Sequence, residues 1–322
     1  MTSDEGNSTR RSFLKTSTGL AAAAGLGGAV GVGATTAASG SEIPEGTFQP
    51  LDPDSAGLPY RQDDPRWGHD LMWDRSLVVD VARQKEGFSA VEAAALMREF
   101  PDGNNIANEG CQLTCLAMVL RLLDPSHKPA WTPGNLNAAA HEGLYYTLSG
   151  LSVSTMYADI VSDLTDGLVQ LIAKEEYPAG QSPWPSMTTA NSPLASAYLG
   201  LDQKQRGSCL VMLKTGTWDD TVASHYALID PTTQTNSSAN DPNLLDPAMP
   251  ADHEGPWNLT DSARWILQDP EIKKAWQSEG ISPTQIGGVW AFSIFDRESG
   301  LNSSSPLAAA WAKQLGNRDA MR

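Results

Sequence analysis

The residue with the clearest chemical potential is Cys111, which is predicted to begin an apolar helix. The segment from Glu109 to Leu123 reads EGCQLTCLAMVLRLL, a turn at Gly110 followed by an almost continuous apolar run. A helix of this composition is surrounded by protein on most sides. At its N-terminus, the helix dipole and the unpaired backbone N–H groups stabilise a thiolate. Cys111 is therefore a candidate nucleophile, although a buried free cysteine can also serve packing alone.

A histidine and an aspartate in the second half of the chain could assist this thiol. His225 begins one predicted strand, and Asp246 ends the next. In an antiparallel pair the residues at one end of the two strands lie side by side. The histidine would take the thiol proton, and the carboxylate would orient the histidine. Asp241, in the turn-rich connection, is an alternative to Asp246 for the third position.

The elements that must position these residues are mainly helices in the first half of the chain and mainly strands in the second half. The capping box at Ser89–Glu92 predicts one helix, and Thr132 followed by Pro133 predicts another. Further helices are predicted over 155–174, in a short apolar stretch within 178–206, and from Leu307 to Gly316. Predicted strands cover 208–213, 224–229, 243–247 and 288–295.

Composition sets limits on the partners. The 322 residues carry a net charge of −16, and 40% are hydrophobic, including ten tryptophans. This is enough apolar material for a real core. The acidic balance argues against nucleic acid or an anionic membrane surface as a partner.

The N-terminus is interpreted as an export signal. Residues 8–15 read STRRSFLK, a twin-arginine pattern, and 16–41 contain no charged residue and are rich in Gly and Ala. Small residues at 36–38 offer a cleavage site. We therefore assign 1–38 to a twin-arginine signal peptide, 39–57 to a linker, 58–297 to one catalytic domain and 298–322 to a tail with a helix. The signal predicts export to the periplasm or the extracellular space, with the twin-arginine export machinery as a partner and no stable membrane insertion of the mature domain.

The three cysteines allow a competing interpretation. A bridge between Cys111 and Cys115 would span one helical turn, where the Cβ directions are unfavourable. A zinc site at Cys-x3-Cys lacks an accompanying histidine pair at ligand spacing. A redox or metal protein would therefore need further ligands that the sequence does not show, and no metal or organic cofactor is predicted. Cys115 and Cys209 are interpreted as packing residues.

Taken together, the motifs resemble those of the C39-like peptidases of the papain superfamily. Four segments occur in the family's order: YRQDDPRWG at 60–68, GCQLTCLAMVL at 110–120, TPGNLN at 132–137, and SHYALI at 224–229 followed by Asp246-Pro247. The resemblance implies an α+β, papain-like fold, in which an N-terminal helical part carries the Cys helix and packs on a C-terminal antiparallel β-sheet that carries His and Asp. It also implies a Cys111–His225–Asp246 triad.

Two features depart from the family pattern. Gln112-Leu113 replaces the usual Gly-Pro, and the segment between Gln62 and Cys111 is longer than expected. One oxyanion donor should be the backbone N–H of Cys111. By resemblance the second donor is the Gln62 side chain, and by proximity in sequence Asn105 is the substitute.

The sequence thus predicts an exported cysteine peptidase or amide hydrolase that acts on a peptide or protein through an acyl-enzyme. Fold does not fix the substrate, because the same layout serves acyl and peptidyl transferases. The competing class is a non-catalytic papain-fold module that binds a peptide or a cell-wall fragment. The replaced Gly-Pro favours that class, and the retained triad residues count against it.

Overall fold

The computed structural model describes residues 57–99, 104–146, 160–176, 187–216, 225–232, 239–295 and 305–319. The predicted signal peptide and all but the last residue of the predicted linker lie outside these ranges. Within them, no helix combines the length and the apolar character needed to cross a bilayer.

The N-terminal half of the described chain is mainly helical. Its elements are β1 (Leu71–Trp73), α1 (Arg75–Gln84), α2 (Ala90–Glu99), β2 (Asn104–Asn105), α3 (Ile106–Glu109), α4 (Cys111–Leu123), α5 (Pro133–Glu142) and α6 (Ile160–Leu164). The predicted capping box is present, since Ser89 and Glu92 each accept a hydrogen bond from the other's backbone N–H. Thr132 caps α5 with Pro133 in the first turn, as predicted.

Helix α4 is the buried centre of this half. All of its residues from Gln112 to Leu120 are buried, so the sequence prediction of a helix enclosed by protein is confirmed. Leu113, Leu116 and Leu120 have no exposed surface. Burial of each such side chain stabilises the fold by about 1.5–3 kcal/mol. The packing therefore fixes the helix, and with it the position of Cys111.

The C-terminal half supplies most of an antiparallel sheet and its covering helices. Its elements are β3 (Val169–Glu176), α7 (Pro193–Leu199), α8 (Gln203–Arg206), β4 (Cys209–Thr215), β5 (His225–Ile229), β6 (Leu244–Leu245), α9 (Leu259–Ile266), α10 (Pro270–Glu279), β7 (Ile286–Ile294) and α11 (Pro306–Asp319). The strand order is β3-β7-β4-β5-β6, with antiparallel neighbours. The late strand β7 thus lies between β3 and β4.

The two faces of this sheet pack against different layers. Along β4, Leu210 and Met212 join the apolar cluster that contains α4. The alternate residues Val211 and Leu213 join a second cluster, to which α7 and α11 contribute. This alternation is the two-residue period of a strand. The architecture is therefore α+β, with a helical layer on each side of an antiparallel sheet.

The predicted helix over 155–174 is wrong in its second half. Residues 155–159 lie outside the described ranges, and helix α6 ends at Leu164. Asp166 and Gly167 then take positive φ angles of 51° and 79°, which end the helix. The following residues pair with β7 as strand β3. The apolar spacing there matched a helix, but pairing with a distant strand determined the structure.

The remaining predicted elements fall close to the observed ones. Strands β4, β5, β6 and β7 lie where runs of apolar residues predicted them. Helix α7 lies within 178–206, and α11 continues past the predicted end at Gly316. Helices α9 and α10 were not predicted. They pack around a small separate cluster that includes Ile272 and Trp276.

Candidate active site

Cys111 is the first residue of α4, and its sulfur receives hydrogen bonds from several donors. Gly110 occupies the N-cap position and offers no side-chain cap to the helix. The backbone N–H groups of Gln112 and Tyr226 donate to the Cys111 sulfur, and the His225 ring forms a hydrogen bond with it. These donors and the helix N-terminus all favour a negative charge on the sulfur.

The turn before Cys111 requires a glycine. The Gly110 N–H donates to Ile106 O at 2.7 Å, which brings α3 tightly against the start of α4. A Cβ atom at Gly110 would lie 2.4 Å from Ile106 O and 2.5 Å from Ile106 Cγ2. Because that approach is shorter than any normal contact, only glycine lets the two helices join at this angle. The fold therefore requires Gly110 before the cysteine, although the Gly-Pro that the family pattern has after the cysteine is absent.

His225 lies at the start of β5 and links the thiol to a carboxylate. Its Nε2 atom is 2.6 Å from Asp246 Oδ1, which leaves Nδ1 to face Cys111. Burial by itself would lower the pKa of His225. The charge and hydrogen bond of Asp246 and the contact with Cys111 outweigh it and raise the pKa to about 10. His225 is therefore an imidazolium at neutral pH.

Asp246 directly follows β6 and is fully buried. The register pairs Leu228 with Leu245, so Asp246 is a diagonal neighbour of His225 on the same face of the sheet. Oδ1 also accepts from the Ala248 N–H at 2.7 Å, and Oδ2 accepts from Trp257 Nε1 at 3.0 Å. Burial tends to raise the pKa of this carboxyl, but the facing His225 charge and the hydrogen bonds lower it below its ordinary value.

The thiol of Cys111 titrates below its ordinary range. Burial would raise its pKa, but the hydrogen bond and charge of His225, followed by the two backbone N–H groups, lower it. The raised pKa of His225 and the lowered pKa of Cys111 together favour a thiolate–imidazolium pair at neutral pH. This is the ionic form of an activated cysteine nucleophile.

The two aspartates proposed for the third position have different roles. Asp246 contacts His225, whereas Asp241 Oδ1 accepts the backbone N–H of Thr260 at 2.8 Å in the first turn of α9. Asp241 is therefore occupied as a helix cap.

The two candidate oxyanion donors also differ. The Gln62 backbone N–H donates to Pro247 O at 3.0 Å, and its Nε2 donates to Ala107 O at 2.7 Å. Gln62 thus lies between Pro247, the residue after Asp246, and α3, the short helix that leads to Cys111. The bond to Ala107 O uses only one of the two hydrogens on Gln62 Nε2. Asn105 caps α3 through an Oδ1 that accepts from Asn108 N at 3.1 Å.

Trp257 was not predicted to take part in this site. It is 8% exposed and donates to the buried Asp246 carboxylate. A tryptophan in a Pro-containing loop carries no spacing signal that would identify such a partner. The contact arises only because the chain after β6 returns over the same end of the sheet.

The other two cysteines lie in the apolar core. Cys115 and Cys209 have no exposed surface and belong to separate core clusters. Burial raises the pKa of Cys115 well above its ordinary value and that of Cys209 to about 12. All three cysteines are free. Within the described residues, no group of three or more His, Cys, Asp or Glu side chains is placed to hold a metal ion.

Comparison with known proteins does not assign the chain to a family. No family model matches it, and no curated protein or solved structure matches it either. The strongest indication of function is therefore the contact of Cys111 with His225 and of His225 with Asp246.

Proposed function

We propose that the chain is an exported cysteine peptidase or amide hydrolase that acts through an acyl-enzyme. One observation carries the proposal. A cysteine at a helix N-terminus is hydrogen-bonded to a histidine, and the other ring nitrogen of that histidine lies 2.6 Å from a buried carboxylate. This is the arrangement of nucleophile, base and orienting group that acyl transfer requires.

In the first step, the Cys111 thiolate attacks the carbonyl carbon of the amide. A C–S bond forms, and the carbonyl π electrons move to the oxygen. The His225 imidazolium then gives its Nδ1 proton to the amide nitrogen as the C–N bond breaks and the amine leaves. The product is a thioester on Cys111 and a neutral His225.

Two donors stabilise the oxyanion in this step. The backbone N–H of Cys111 belongs to the first turn of α4 and has no partner within the helix. The second donor is the remaining amide hydrogen of Gln62, whose first hydrogen is held by Ala107 O. Loss of one such donor costs about 10²–10³ in kcat.

In the second step, water cleaves the thioester. Neutral His225 takes a proton from water as the oxygen attacks the acyl carbon, and the C–S bond breaks to restore the thiolate and the imidazolium. Asp246 holds Nε2 throughout and keeps Nδ1 directed at the sulfur. An amine in place of water would give acyl or peptidyl transfer with the same residues.

A peptide or protein is the proposed substrate, and a C39-like, papain-like fold is the proposed frame. The four ordered motifs support this assignment, as do the antiparallel sheet and its Cys-bearing helix. The STRRSFLK segment supports export by the twin-arginine route to the periplasm or the extracellular space.

The proposal predicts fast alkylation of Cys111 at pH 6. An ordinary thiol with a pKa of about 8.5 is less than about 1% ionised there, whereas a thiolate–imidazolium pair is ionised almost completely. We expect iodoacetamide to label Cys111 on the order of 10-fold to 100-fold faster than an ordinary thiol. The measurement is mass-spectrometric mapping of the label over time. His225→Ala should remove the effect, and His127→Ala, which removes a histidine beyond the C-terminal end of α4, should preserve it.

Two outcomes separate the competing functions. Slow labelling of Cys111 in all three proteins would contradict the activated thiolate and favour a peptide-binding module without catalysis. Fast labelling combined with amine incorporation, rather than hydrolysis, from a library of peptides would assign the chain to the transferases.

A further inference from the structure

A second buried charge lies at the far end of the sheet. Arg206 ends helix α8, and its side chain is only 2% exposed. The β4–β5 pairing places Thr215 against His225, so Cys209, which is near Arg206, lies at the opposite end of β4. Seven strand residues separate the two ends by roughly 20 Å. Arg206 is therefore distant from Cys111.

Within the part of the chain that the structure describes, the donors of this buried cluster lack acceptors. The Nε and Nη1 atoms of Arg206 are buried without a hydrogen-bond partner, and so is the hydroxyl of Tyr198, at the end of α7. Among the described residues, no carboxylate forms an ion pair with Arg206. A guanidinium cannot lose its charge by deprotonation at physiological pH. An unpaired buried charge is costly, so the arrangement indicates a missing anionic group.

The surrounding titratable groups do not supply that anion. Burial raises the pKa of Tyr198 and raises the pKa of Cys209 to about 12, so both are neutral. The Cys209 thiol lies 3.5 Å from the Gln205 carbonyl oxygen. Asp230, the remaining nearby acid, is half-buried and accepts from the Thr232 backbone N–H and hydroxyl, both at 2.7 Å. The cluster around Arg206 thus presents one positive charge and an additional O–H donor.

The helices that carry this cluster are joined by α11. Helix α11 packs on α7, which carries Tyr198, and on α8, which carries Arg206. At the other end of α7, Glu175 accepts from Trp311 Nε1 of α11 at 3.2 Å and from the Leu194 N–H at 2.9 Å. These contacts hold α7 and α11 together.

We propose that Arg206 and Tyr198 form a second binding site, which takes a single carboxylate group of a small organic monoanion. The guanidinium supplies charged N–H donors for a carboxylate, and the Tyr198 hydroxyl supplies a further donor. A monoanion neutralises the one guanidinium charge. A phosphate dianion would leave an excess negative charge beside Asp230 in a protein that is already strongly acidic. The site lies outside the Cys111 centre and does not depend on the proposed hydrolysis.

Acetate is the probe for this site. Thermal unfolding of the full chain is followed in an anion-poor buffer as sodium acetate is added, with sodium chloride at equal ionic strength as the reference. A ligand that binds only the native state raises Tm by an amount that grows with the logarithm of its concentration above Kd. We expect an acetate-specific rise in the wild type and none in Arg206→Met. Lys204→Met, which removes an exposed charge from the same helix, should keep the full rise.

A second variant protects the test against a folding defect. Tyr198→Phe removes one donor and no charge, and it should need a several-fold higher acetate concentration for the same rise in Tm. The absence of an acetate-specific rise in the wild type, or an equal rise in Arg206→Met, would overturn the site. A rise with phosphate that equals or exceeds the rise with acetate would overturn its assignment to a carboxylate monoanion.

Discussion

Asp246 and Arg206 are buried to almost the same extent, 0% and 2% exposed, but their surroundings are opposite. At the end of the sheet beside Cys111, Asp246 faces an imidazolium and accepts two further N–H groups, one from the backbone and one from Trp257. At the far end, two Arg206 nitrogens have no acceptor among the residues that the structure describes. The comparison teaches that burial alone does not determine what a charge contributes to the free energy of folding. Whether a buried charge is tolerated or destabilises the fold depends on its partners.

The largest expected effect comes from removing the partner at the paired end. Asp246→Ala leaves the His225 imidazolium buried without its carboxylate, and we expect the free energy of unfolding to fall by about 3–5 kcal/mol. Arg206→Met, in an anion-free buffer, should leave the free energy of unfolding unchanged or raise it. Urea unfolding measures both. Asp241→Ala, which removes only a helix cap, should cost about 1 kcal/mol. An Asp246→Ala loss no larger than that would contradict the contrast between the two ends.

A smaller change in the free energy of unfolding is expected from pH, because the titrations of Cys111 and His225 change stability in opposite directions. The raised pKa of His225 gives stability that is present below about 6.5, its unfolded value, and is lost as pH rises through about 10. The lowered pKa of Cys111 gives stability that is present above its unfolded value of about 8.5 and is lost as pH falls. Below about pH 8.5 the thiol slope opposes the histidine slope, and above about 8.5 only the histidine slope remains.

The measurement for this prediction is the free energy of urea unfolding from pH 6 to 10. The stability of the wild type should decline less steeply below about pH 8.5 than above it, where it should fall by on the order of 1–2 kcal/mol up to pH 10. Cys111→Ala removes the thiol slope, so its decline should begin near pH 6.5. Identical pH profiles for the two proteins would show that Cys111 and His225 do not form a charged pair.

The smallest expected effect comes from removing one of the hydrogen-bond donors to Asp246. Trp257→Phe keeps the ring but removes the indole N–H from Asp246 Oδ2, and about 1–2 kcal/mol of stability should be lost. The Cys111 labelling rate should shift to a different pH midpoint, because Asp246 then holds His225 less firmly. Trp265→Phe, on helix α9, is the matched control and should leave that midpoint unchanged. An unaltered midpoint in Trp257→Phe would limit this tryptophan to packing.

The paired end could be anticipated from sequence better than the unpaired one. Cys111 and His225 stand at the starts of elements whose apolar runs identify them, and Asp246 ends a short strand. Their proximity follows from antiparallel pairing. The roles of Trp257 and Arg206 depend on contacts made after the chain has returned over the sheet. Arg206 occupies an ordinary polar position in the pattern DQKQR, and no spacing signals that its guanidinium is enclosed.

The same limit explains the error over 155–174. Local spacing there is compatible with a helix as far as Lys174, but β7, more than one hundred residues later, pairs with the segment from Val169 onward. The capping residues Ser89 and Thr132 were identified correctly because their partners lie within three residues. Contacts between neighbours can be inferred from a sequence, and contacts between distant segments need the fold.

The position of β7 also has a consequence for synthesis. This strand is inserted between β3 and β4, yet it is made after every other strand of the sheet. While the ribosome is still adding residues before Ile286, β3 has no partner and β4 has one open edge. Sheet closure, and with it a fixed platform for α4, must therefore wait until Ile286–Ile294 has been translated. Pairing across so long a separation is slow, so a nascent chain would emerge with its candidate active site incomplete.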